Sequence, residues 1–479
     1  MRAPKRRRSI GVDGQHVPAV GGSGGEQETL DDLDLISRLP DEVLGTVISL
    51  LPTKDGARTQ VLSRRWLPLW RSPMAPLNLA ADDGLSDKST RVAMVSKILS
   101  DHPGPARHFS LSLISVDRFR VKVARWFRSE TLTGLEELRV TNWQKTRYPL
   151  PPCTLTRFAP TLRLLELYGC RLQDGIALPS FPHLKHLDLY FVSISEDSLE
   201  CMISGCTVLE NVSLFKVRFL RLCISSQTLR SINLWALRSK VGELVIKDAP
   251  CLERLLPNYP DDGPATIRVI QAPKLHILGF LSRGISTLHL GTTIFQKMVA
   301  VSFTTKMHAL KILALNSTGA DLYAVVDFLK CFPFLEKLYV VLQSRPRKDM
   351  NIWLKYDPFD PIECLELHLQ RVVLKNYEGN RRPFIDFAKF LILNAKVLKE
   401  MEIRVLNVES DKWMCYQRRQ LQLENSASRD AQIELRSDTY ASPANHDYTH
   451  DLSIADPFEC SSVFDSISKI ASPSVQSNM

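Results

Sequence analysis

Apolar residues between positions 39 and 70 recur at the spacing of short helices. The first stripe predicts an amphipathic helix with a proline in its first turn, and it consists of Val43, Leu44, Val47, Ile48 and Leu51. Pro52 ends that helix, and Thr53 is predicted to cap a second one. Ser63 is predicted to cap a third segment, which carries Trp66 and Trp70 on one face. Helices this short bury little apolar area, so we expect them to pack against neighbouring sequence or a partner.

From residue 135 onward the apolar positions follow a Leu-x-x-Leu-x-Leu pattern. Clear copies begin at Leu135, Leu162, Leu184, Leu209, Leu229, Leu310 and Leu335, and imperfect ones at Leu252 and Leu275. Starts from Leu135 to Leu275 are 27, 22, 25, 20, 23 and 23 residues apart, in or near the roughly 20 to 29 residue period of leucine-rich repeats. Such repeats bury their apolar faces only by stacking, which aligns one parallel strand from each. The pattern therefore predicts a curved solenoid, with an extra strand at 285–290.

Alternation along the strands predicts which side chains leave the core. If Leu165 and Leu167 point inward, the outward positions of four successive repeats carry Glu166, Tyr168, Asp188, Tyr190, Phe215 and Trp235. An aromatic column with acidic neighbours on a concave sheet is typical of a binding surface, so we predict that a target protein docks there. The alternative is that these rings fold over the strand ends and shield the adjoining turns.

Both flanks of the repeats are predicted to continue the fold. Before them, helices at 92–99 and 121–127 around a strand at 109–113 are expected to cap the solenoid. After them, the pattern predicts strands that begin at Cys364 and Val372, a helix from Phe384 to Ala395 and a strand at 398–405. Connecting helices are expected on the convex side at 195–204 and 321–331.

Together these segments resemble the plant proteins that combine an F-box, leucine-rich repeats and a C-terminal FBD domain. The Leu39-Pro40 pair and its helix resemble the F-box, and the run 387–398 resembles the FBD domain. The resemblance implies an α/β fold, in which an N-terminal three-helix F-box is followed by an irregular leucine-rich-repeat solenoid with a C-terminal FBD cap. The expected domains are a disordered basic, glycine-rich tail (1–30), the F-box (35–79), a helical connector and solenoid cap (80–130), the repeats (131–360), the FBD domain (361–435) and a disordered tail (436–479).

In this family the F-box docks on a Skp-type adaptor of a cullin-based ubiquitin ligase. Carried over to this sequence, the resemblance implies adaptor contacts at Leu39, Pro40, Val43, Leu44, Ile48, Leu51, Pro52, Val61, Leu62 and Trp66. Gly45 and Gly56 depart from the family pattern, and each costs about 1 kcal/mol relative to alanine in a helix. The chain is thus expected to be the substrate-recognition subunit of an SCF-type ligase, with the repeats binding a target for ubiquitination. The alternative is a protein-binding scaffold whose degenerate F-box recruits no ligase.

The sequence offers no motif for catalysis. We find no phosphate-binding loop, His-Glu-x-x-His motif or metal-spaced set of Cys and His. The ten cysteines include no Cys-x-x-Cys pair, so reduced thiols are expected. We therefore expect a non-catalytic receptor with no cofactor and no metal site.

Much of the formal net charge of +9 comes from the N-terminus. Arg2 and the run Lys5, Arg6, Arg7 and Arg8 supply five positive charges, which leaves the body mildly basic. That run resembles a nuclear localisation signal, so the expected location is nuclear, cytoplasmic or both. Nucleic-acid binding would rest on this run alone, and no specific nucleic acid is expected. No apolar run approaches the roughly 18 to 20 residues of a membrane span, so no membrane partner is expected.

Overall fold

The fold is known from a computed structural model. It describes residues 35–437 apart from 71, 73–76, 81–87, 103–104, 112–115, 117, 145, 176–177, 236–241, 258–263, 303–305, 319–321, 344–360 and 406–409. The basic run Lys5, Arg6, Arg7 and Arg8, the tail predicted at 1–30 and nearly all of the tail predicted at 436–479 lie outside the described residues.

Short helices begin the described chain. They are a 3₁₀ turn (Ile36–Arg38), α1 (Asp41–Leu50), α2 (Thr53–Arg58), a second 3₁₀ turn (Thr59–Val61) and α3 (Trp66–Trp70). Pro40 and Pro52 stand immediately before α1 and α2, where the fixed φ of proline suits a helix start. The expected cap at Thr53 is wrong, because Thr53 is the first helical residue of α2 and its hydroxyl donates to the carbonyl of Asn78 instead.

The centre of the fold is a parallel sheet whose fourteen described strands follow one another in chain order. This order confirms the predicted solenoid, because each stacked repeat adds one strand beside the previous one. The strands are β1 (Leu77–Ala80), β2 (Ala106–Ser110), β3 (Glu137–Thr141), β5 (Leu164–Tyr168), β7 (His186–Tyr190), β8 (Asn211–Phe215), β10 (Ser231–Trp235), β12 (Arg254–Pro257), β14 (Ile277–Leu281), β18 (Ile312–Thr318), β19 (Lys337–Gln343), β20 (Arg371–Tyr377), β21 (Glu400–Val405) and β22 (Gln432–Ser437).

Alternation in these strands buries one apolar face of the sheet. Leu165 and Leu167 of β5 lie fully buried in the main core, as do Leu187 and Leu189 of β7. The register carries the pattern between repeats, since Leu165 pairs with Leu138 on one side and Leu187 on the other. Each buried leucine contributes about 1.5–3 kcal/mol, and only stacked neighbours complete its burial.

Helices in the longer connections add apolar side chains to the same core. They are α4 (Lys88–Asp101), α5 (Arg120–Trp126), α6 (Pro152–Phe158), α7 (Glu196–Ser204), α8 (Leu322–Cys331), α9 (Glu363–Leu367), α10 (Arg382–Asn394) and α11 (Asp411–Gln420), with 3₁₀ turns at Glu130–Leu132 and Leu423–Asn425. The helices expected at 92–99, 121–127, 195–204 and 321–331 are confirmed. Ser195 caps α7 by accepting a hydrogen bond from the N–H of Ser198.

A second sheet of six described strands accompanies the repeats, and the sequence predicted only its strand at 285–290. The remaining strands of the described fold are β4 (Tyr148–Pro149), β6 (Cys170–Arg171), β9 (Arg221–Ser225), β11 (Glu243–Asp248), β13 (Thr266–Val269), β15 (Thr287–Leu290), β16 (Thr293–Gln296) and β17 (Val299–Ser302). The strand order of the second sheet is β17-β16-β15-β13-β11-β9. The extra strand expected at 285–290 is β15. The antiparallel strands β16 and β17 lengthen the step from Leu275 to Leu310.

Carboxylates from α7 close one edge of this second sheet. Glu196 accepts hydrogen bonds from the backbone N–H groups of Leu220 (2.6 Å) and Arg221 (3.3 Å). Glu200 accepts one from the N–H of Cys223 (2.5 Å). An uncovered strand edge would offer these donors to another chain, so α7 protects β9 from unwanted pairing.

The C-terminal region differs from the prediction at its start. Residues from Cys364 form the helix α9 instead of a strand. Leu365 and Leu369, four positions apart, are both buried, whereas Leu367 between them is 61% exposed. Burial at every fourth position is typical of a helix. The sequence suggested a strand because leucines occupy every second position here. The strand from Val372, the following helix and the strand at 398–405 are confirmed as β20, α10 and β21.

The strand β22 extends the sheet beyond the last predicted strand, and the helix α11 precedes it. Gln417 of α11 is 1% exposed. Its Oε1 accepts a hydrogen bond from the Tyr377 hydroxyl (3.1 Å), and its Nε2 donates to the carbonyl of Gly379 (3.1 Å). A Cβ on Gly379 would come within 2.3 Å of the Gln417 amide. The glycine therefore admits the side chain that anchors α11.

Candidate adaptor-binding and target-binding surfaces

The N-terminal helices bury some apolar side chains and expose others. Leu44, Ile48, Trp66 and Leu69 form a small core, in which each is at most 7% exposed. A larger set, called here the N-terminal apolar surface, is 36–85% exposed and consists of Leu35, Ile36, Leu39, Val43, Val47, Leu50, Val61, Leu62 and Leu67. Single exposed apolar residues are ordinary, but this many within one short module indicate an interaction surface.

This division separates the predicted adaptor-contact residues into two groups. The exposed or half-buried group comprises Leu39, Pro40, Val43, Leu51, Pro52, Val61 and Leu62. Leu44, Ile48 and Trp66 lie in the small core, so their expected place at the surface is corrected to a packing role. Val47 and Leu50 are also exposed but were not among the predicted contacts. Val47 was assigned to the single apolar stripe of α1 and Leu50 was left out of it, whereas this helix is apolar on both its buried and its exposed sides.

Arg65 fixes the segment in front of α1. Its Nε donates a hydrogen bond to the Asp41 carboxylate (2.8 Å), and its Nη2 donates to the carbonyl of Leu39 (2.5 Å). Charge-assisted bonds of this kind have defined geometry. The Leu39-Pro40 pair is therefore held in place relative to α3.

Gly56 is required by packing. A Cβ at this position would lie 2.5 Å from Cζ3 of Trp70, closer than real contacts allow. Trp70 packs against both the small N-terminal core and the main core of the repeats. The low helix propensity of Gly56 thus accompanies a close approach that joins the two cores, and this glycine is not a sign of a decayed module.

Polar contacts also join the N-terminal helices to the sheet. The Thr53 hydroxyl donates to the carbonyl of Asn78 in β1, and Asn78 Nδ2 donates to the carbonyl of Leu50 (3.4 Å). The His102 ring lies edge-on to Trp70 at 5.5 Å, and its Nε2 is 3.1 Å from the Trp70 carbonyl oxygen. The helices are therefore seated on the first strand of the sheet.

Apart from Trp235, the predicted target-binding residues lie on the sheet face opposite the main core. Glu166 and Asp188 are direct neighbours in the register, but they are 2% and 0% exposed. Tyr190 is 3% exposed. The expectation that these three face solvent is wrong, because alternation predicts the direction of a side chain and not its exposure. Tyr168 and Phe215 are half-buried, and the Trp235 side chain lies outside the described residues.

Glu166 is a buried acid of this face with a raised pKa of about 8. Burial is the main cause, Arg139 lowers the pKa in opposition, and the adjacent Asp188 raises it by a smaller amount. The Arg139 Nε is 3.6 Å from Oε2 of Glu166. Glu166 is therefore largely protonated at neutral pH, so this position presents a carboxylic acid and not the negative charge expected from the sequence.

Aromatic rings form a continuous row where the strands end. This row, called the exit cluster, consists of Trp143, Tyr168, Phe191 and Phe215. The ring centroids are 4.4 Å apart between Trp143 and Tyr168, 5.1 Å between Tyr168 and Phe191, and 5.0 Å between Phe191 and Phe215. Such distances are favourable for aromatic pairs. Trp143 is 37% exposed and the other three rings are half-buried.

Left-handed turns build the exit cluster. Gly169, Phe191 and Lys216 follow successive strands with φ of 66°, 54° and 51°. Phe191 has the strand parity of Leu189, which points into the main core, so regular alternation would direct its ring away from Tyr168. The positive φ redirects it into the row. Strain of this kind at a non-glycine residue persists where the surrounding structure holds it.

The same sheet face changes character further along the solenoid. An apolar cluster, at most 8% exposed, follows the polar region and contains Leu256, Ile277, Phe280, Ala314, Tyr339, Val341 and Val373. Charged groups then return in the last strands, where Glu402 accepts hydrogen bonds from Arg404 (3.0 Å) and Arg436 (3.3 Å). Polar, apolar and ionic zones therefore succeed one another across the repeats.

A series of ion pairs lines the edge where the strands begin. The pairs with their N···O distances are Arg107–Glu136 (3.0 Å), Lys185–Glu210 (2.8 Å), Arg230–Glu253 (3.0 Å) and Lys311–Glu336 (2.8 Å). Each joins neighbouring repeats. Exposed pairs contribute only about 0–1 kcal/mol each, so their main effect is to favour the correct register between strands. Except for Arg107, these residues directly follow the first leucine of a repeat motif, and they were not singled out in the sequence.

The described ranges contain no group of three or more His, Cys, Asp or Glu side chains that could hold a metal ion. Within the same ranges, none of the helices is both long and apolar enough to cross a membrane.

Three family models match the chain. The F-box domain matches residues 36–75, the model described as FBD-associated F-box protein At5g56370, LRR repeats, matches 123–340, and FBD matches 358–403. The first range covers the N-terminal helices, the second covers the repeats from α5 to part of β19, and the third runs from before α9 into β21. The three domains occur in the order expected from the sequence, F-box, repeats and FBD. The domain boundaries given in the sequence analysis remain predictions.

Relatives from Arabidopsis thaliana are named for two or all three of these domains. The chain is 24% identical to the F-box/FBD/LRR-repeat protein At3g26920 over 80% of this chain and 92% of the relative. It is 28% identical to the F-box/FBD/LRR-repeat protein At1g13570 over 42% of this chain and 49% of that one. It is 29% identical to the F-box/LRR-repeat protein At3g03360 over 42% of each. The match thus spans nearly all of the first relative and less than half of the other two.

Proposed function

We propose that the chain is a member of the plant family of F-box/FBD/LRR-repeat proteins and the substrate-recognition subunit of an SCF-type ubiquitin ligase. The matches to the F-box, LRR and FBD models in this order support the proposal, as does the similarity to a relative of that name. F-box domains generally bind Skp-type adaptors. The observation that carries the proposal is the N-terminal apolar surface, where Val61, Leu62 and Leu50 are 85%, 67% and 66% exposed. A partner that covers these side chains would gain their burial, at about 25 cal/mol per Å² of apolar area.

The proposed mechanism is positional. The F-box binds the adaptor, the repeats hold a target protein, and the cullin-based machinery transfers ubiquitin to a lysine of that target. The chain acts by raising the effective concentration of the target lysine near the activated ubiquitin. In this proposal it is a non-catalytic receptor, which contributes geometry and supplies no reacting group.

The contacts around Trp70 favour this function over that of a scaffold with a degenerate F-box. Gly56 was one of two departures from the family pattern that supported a scaffold. Its absent Cβ admits the Trp70 ring, so the departure has a packing reason within this chain. The F-box is also seated on β1 through Thr53 and Asn78. A bound adaptor would therefore stand in a defined relation to the repeats.

Co-expression with a plant Skp-type adaptor tests the proposal. The intact chain should capture the adaptor in a pull-down, and Leu39→Ala/Pro40→Ala should lose most of it, because this pair lies at the exposed front of α1. Leu220→Ala/Ile270→Ala is a matched control, since both residues are exposed beside the second sheet, at 67% and 52%. Failure of the folded intact chain to capture the adaptor would contradict the proposal.

Nuclear import through Lys5, Arg6, Arg7 and Arg8 is a second part of the proposal. It rests on the density of positive charge in the sequence. A fluorescent fusion of the full chain should accumulate in the nucleus, and replacement of all four residues by alanine should shift it to the cytoplasm. An unchanged distribution would contradict this assignment.

A further inference from the structure

The strand-exit side of four successive repeats carries basic residues and no acidic ones. It comprises residues 141–147, 168–172, 190–193 and 215–220, all of which are described except 145. The charged side chains in the described part are Arg147, Arg171, Lys216 and Arg218. Arg147, Arg171 and Arg218 are exposed, and Lys216 is partly exposed. The charge within these segments is therefore positive, while Asp174 and Glu196, which accepts a hydrogen bond from the N–H of Leu220, lie beside them.

Two of these cations lie directly on the exit cluster. The Lys216 Nζ is 4.7 Å from the centroid of the Phe191 ring and 5.2 Å from that of Phe215. The Arg147 Nε donates a hydrogen bond to the carbonyl of Phe191 (2.9 Å). Both cations are thus positioned at Phe191, Lys216 against its ring and Arg147 at its backbone carbonyl. The guanidinium group of Arg147 retains further donors for a second partner.

The loop that carries Trp143 is also held in place. Asn142 is 1% exposed, and its Nδ2 donates to the carbonyls of Thr146 (2.7 Å) and Gly169 (3.2 Å). A Cβ on Gly169 would come within 2.1 Å of the Asn142 carbonyl oxygen. The most exposed ring of the row, Trp143, therefore directly follows an anchored residue, which lowers the entropy lost when a ligand binds.

We propose that the exit cluster is the target-docking site and that it takes an extended acidic peptide segment. Apolar or aromatic side chains of the segment lie on the four rings, and its carboxylates meet Arg147 and Lys216. The row crosses four strands at about 4.8 Å each, so it is about 14 Å long, the reach of four or five extended residues. This inference rests on the proposed function, and it specifies the chemical class of the target segment that the repeats bind.

The geometry favours a peptide over single-stranded nucleic acid, which also binds aromatic and basic surfaces. Neighbouring rings are in mutual contact, with centroids 4.4–5.1 Å apart, so no base can enter between them. The tilt between Trp143 and Tyr168 is 42° and that between Tyr168 and Phe191 is 53°. The tilted rings therefore form an uneven apolar surface that suits side chains of different shapes. They do not form the parallel ring faces on which successive bases stack.

Fluorescence anisotropy on the full chain, purified with its adaptor, tests the proposal. The probes are two labelled peptides of equal length with the same phenylalanine positions, one with glutamate spacers and one with lysine spacers, and a labelled oligothymidylate. The glutamate peptide should bind at least tenfold more tightly than the lysine peptide, and added salt should weaken it. Arg147→Ala/Lys216→Ala should reduce that affinity at least tenfold, and Trp143→Ala should also reduce it.

Lys274→Ala/Lys399→Ala is the matched control, because both lysines are exposed elsewhere on the solenoid. It should leave peptide affinity unchanged, and thermal melts should show that every variant is folded. Equal affinity for the two peptides, no binding of either, insensitivity to Arg147→Ala/Lys216→Ala, or preferred binding of oligothymidylate would each overturn the proposal. Adaptor capture is scored in the same preparation, so failure of the peptide site is distinguished from failure of the ligase-receptor function.

Discussion

Glu166 is a carboxylic acid held within the sheet, where burial outweighs the attraction of Arg139. Its pKa is raised to about 8 from an ordinary value of 4.5. Between these two values the folded chain binds a proton that the unfolded chain releases, so the folded state loses stability as pH rises. The contribution is fully present below pH 4.5 and is lost as the pH reaches about 8.

Glu166→Gln should remove this part of the pH dependence. The neutral amide has nearly the same shape and cannot ionise, so stability should no longer fall across the window. Inside it, the slopes of wild type and variant should differ by up to about 1.4 kcal/mol per pH unit. Urea unfolding near the two ends of the window measures this. Parallel slopes for both proteins would contradict the raised pKa.

Gly56→Ala should destabilise the F-box although alanine is the better helix former. The added Cβ would meet Trp70 at 2.5 Å, and overpacking typically costs about 1–3 kcal/mol. Trp70→Leu in the same chain should relieve the clash, so the double variant should lose less than the sum of the two single changes. Chemical unfolding of the four proteins gives the coupling, and strict additivity would show that the ring does not constrain position 56.

At the residue scale, the sequence predicted which sheet face a side chain occupies better than it predicted whether that side chain is buried. The alternation around Leu165 correctly placed Glu166 and Tyr168 on the opposite face. It could not predict the burial of Glu166, which depends on neighbours remote in sequence. It also missed Phe191, because the left-handed φ that redirects this ring leaves no mark in a hydrophobic pattern.

At the element scale, α7 and β9 show how the second sheet avoids pairing with other chains. Glu196→Ala/Glu200→Ala should release three backbone donors along the edge of β9. We expect a loss of about 2–4 kcal/mol, since charge-assisted bonds exceed neutral ones, together with increased self-association.

Hydrogen exchange checks the α7 prediction at the amides of Leu220, Arg221 and Cys223, whose protection should fall. Asp197→Ala is the matched control, because Asp197 lies on the same helix but is exposed. It should change neither protection nor association. Unaltered exchange in the double variant would show that α7 does not close the edge.

The repeat elements were predictable because their period is a direct consequence of stacking. Strands such as β5, β7 and β8 occur where the leucine pattern places them. Most of the second sheet was missed, because β9, β11 and β13 each carry only two or three buried apolar residues between the leucine motifs. These apolar positions recur in pairs every 21–23 residues, β15 included, and could have revealed the sheet: Leu222/Ile224, Leu244/Ile246, Ile267/Val269 and Leu288/Leu290. The helix α9 was missed because Leu365, Leu367 and Leu369 satisfy a strand pattern while their burial follows a helical one.

At the scale of the whole molecule, the F-box and the repeats share packing as well as covalent connection. Trp70 contributes to the packing of both cores, and Thr53 bonds to Asn78 of β1. An adaptor bound to the N-terminal apolar surface would therefore stand at a fixed position relative to the exit cluster. Fixed geometry of this kind suits a receptor that acts by raising effective concentration.

The most direct test of this account is the affinity of the purified adaptor for three forms of the chain, measured by isothermal titration calorimetry. The wild type should bind, and Val61→Glu/Leu62→Glu should weaken binding at least hundredfold, or by about 2.7 kcal/mol. Leu220→Glu/Ile270→Glu, equally disruptive but remote from the F-box, should bind like the wild type. Absence of binding by the folded wild type, or equal affinity for all three, would contradict the account.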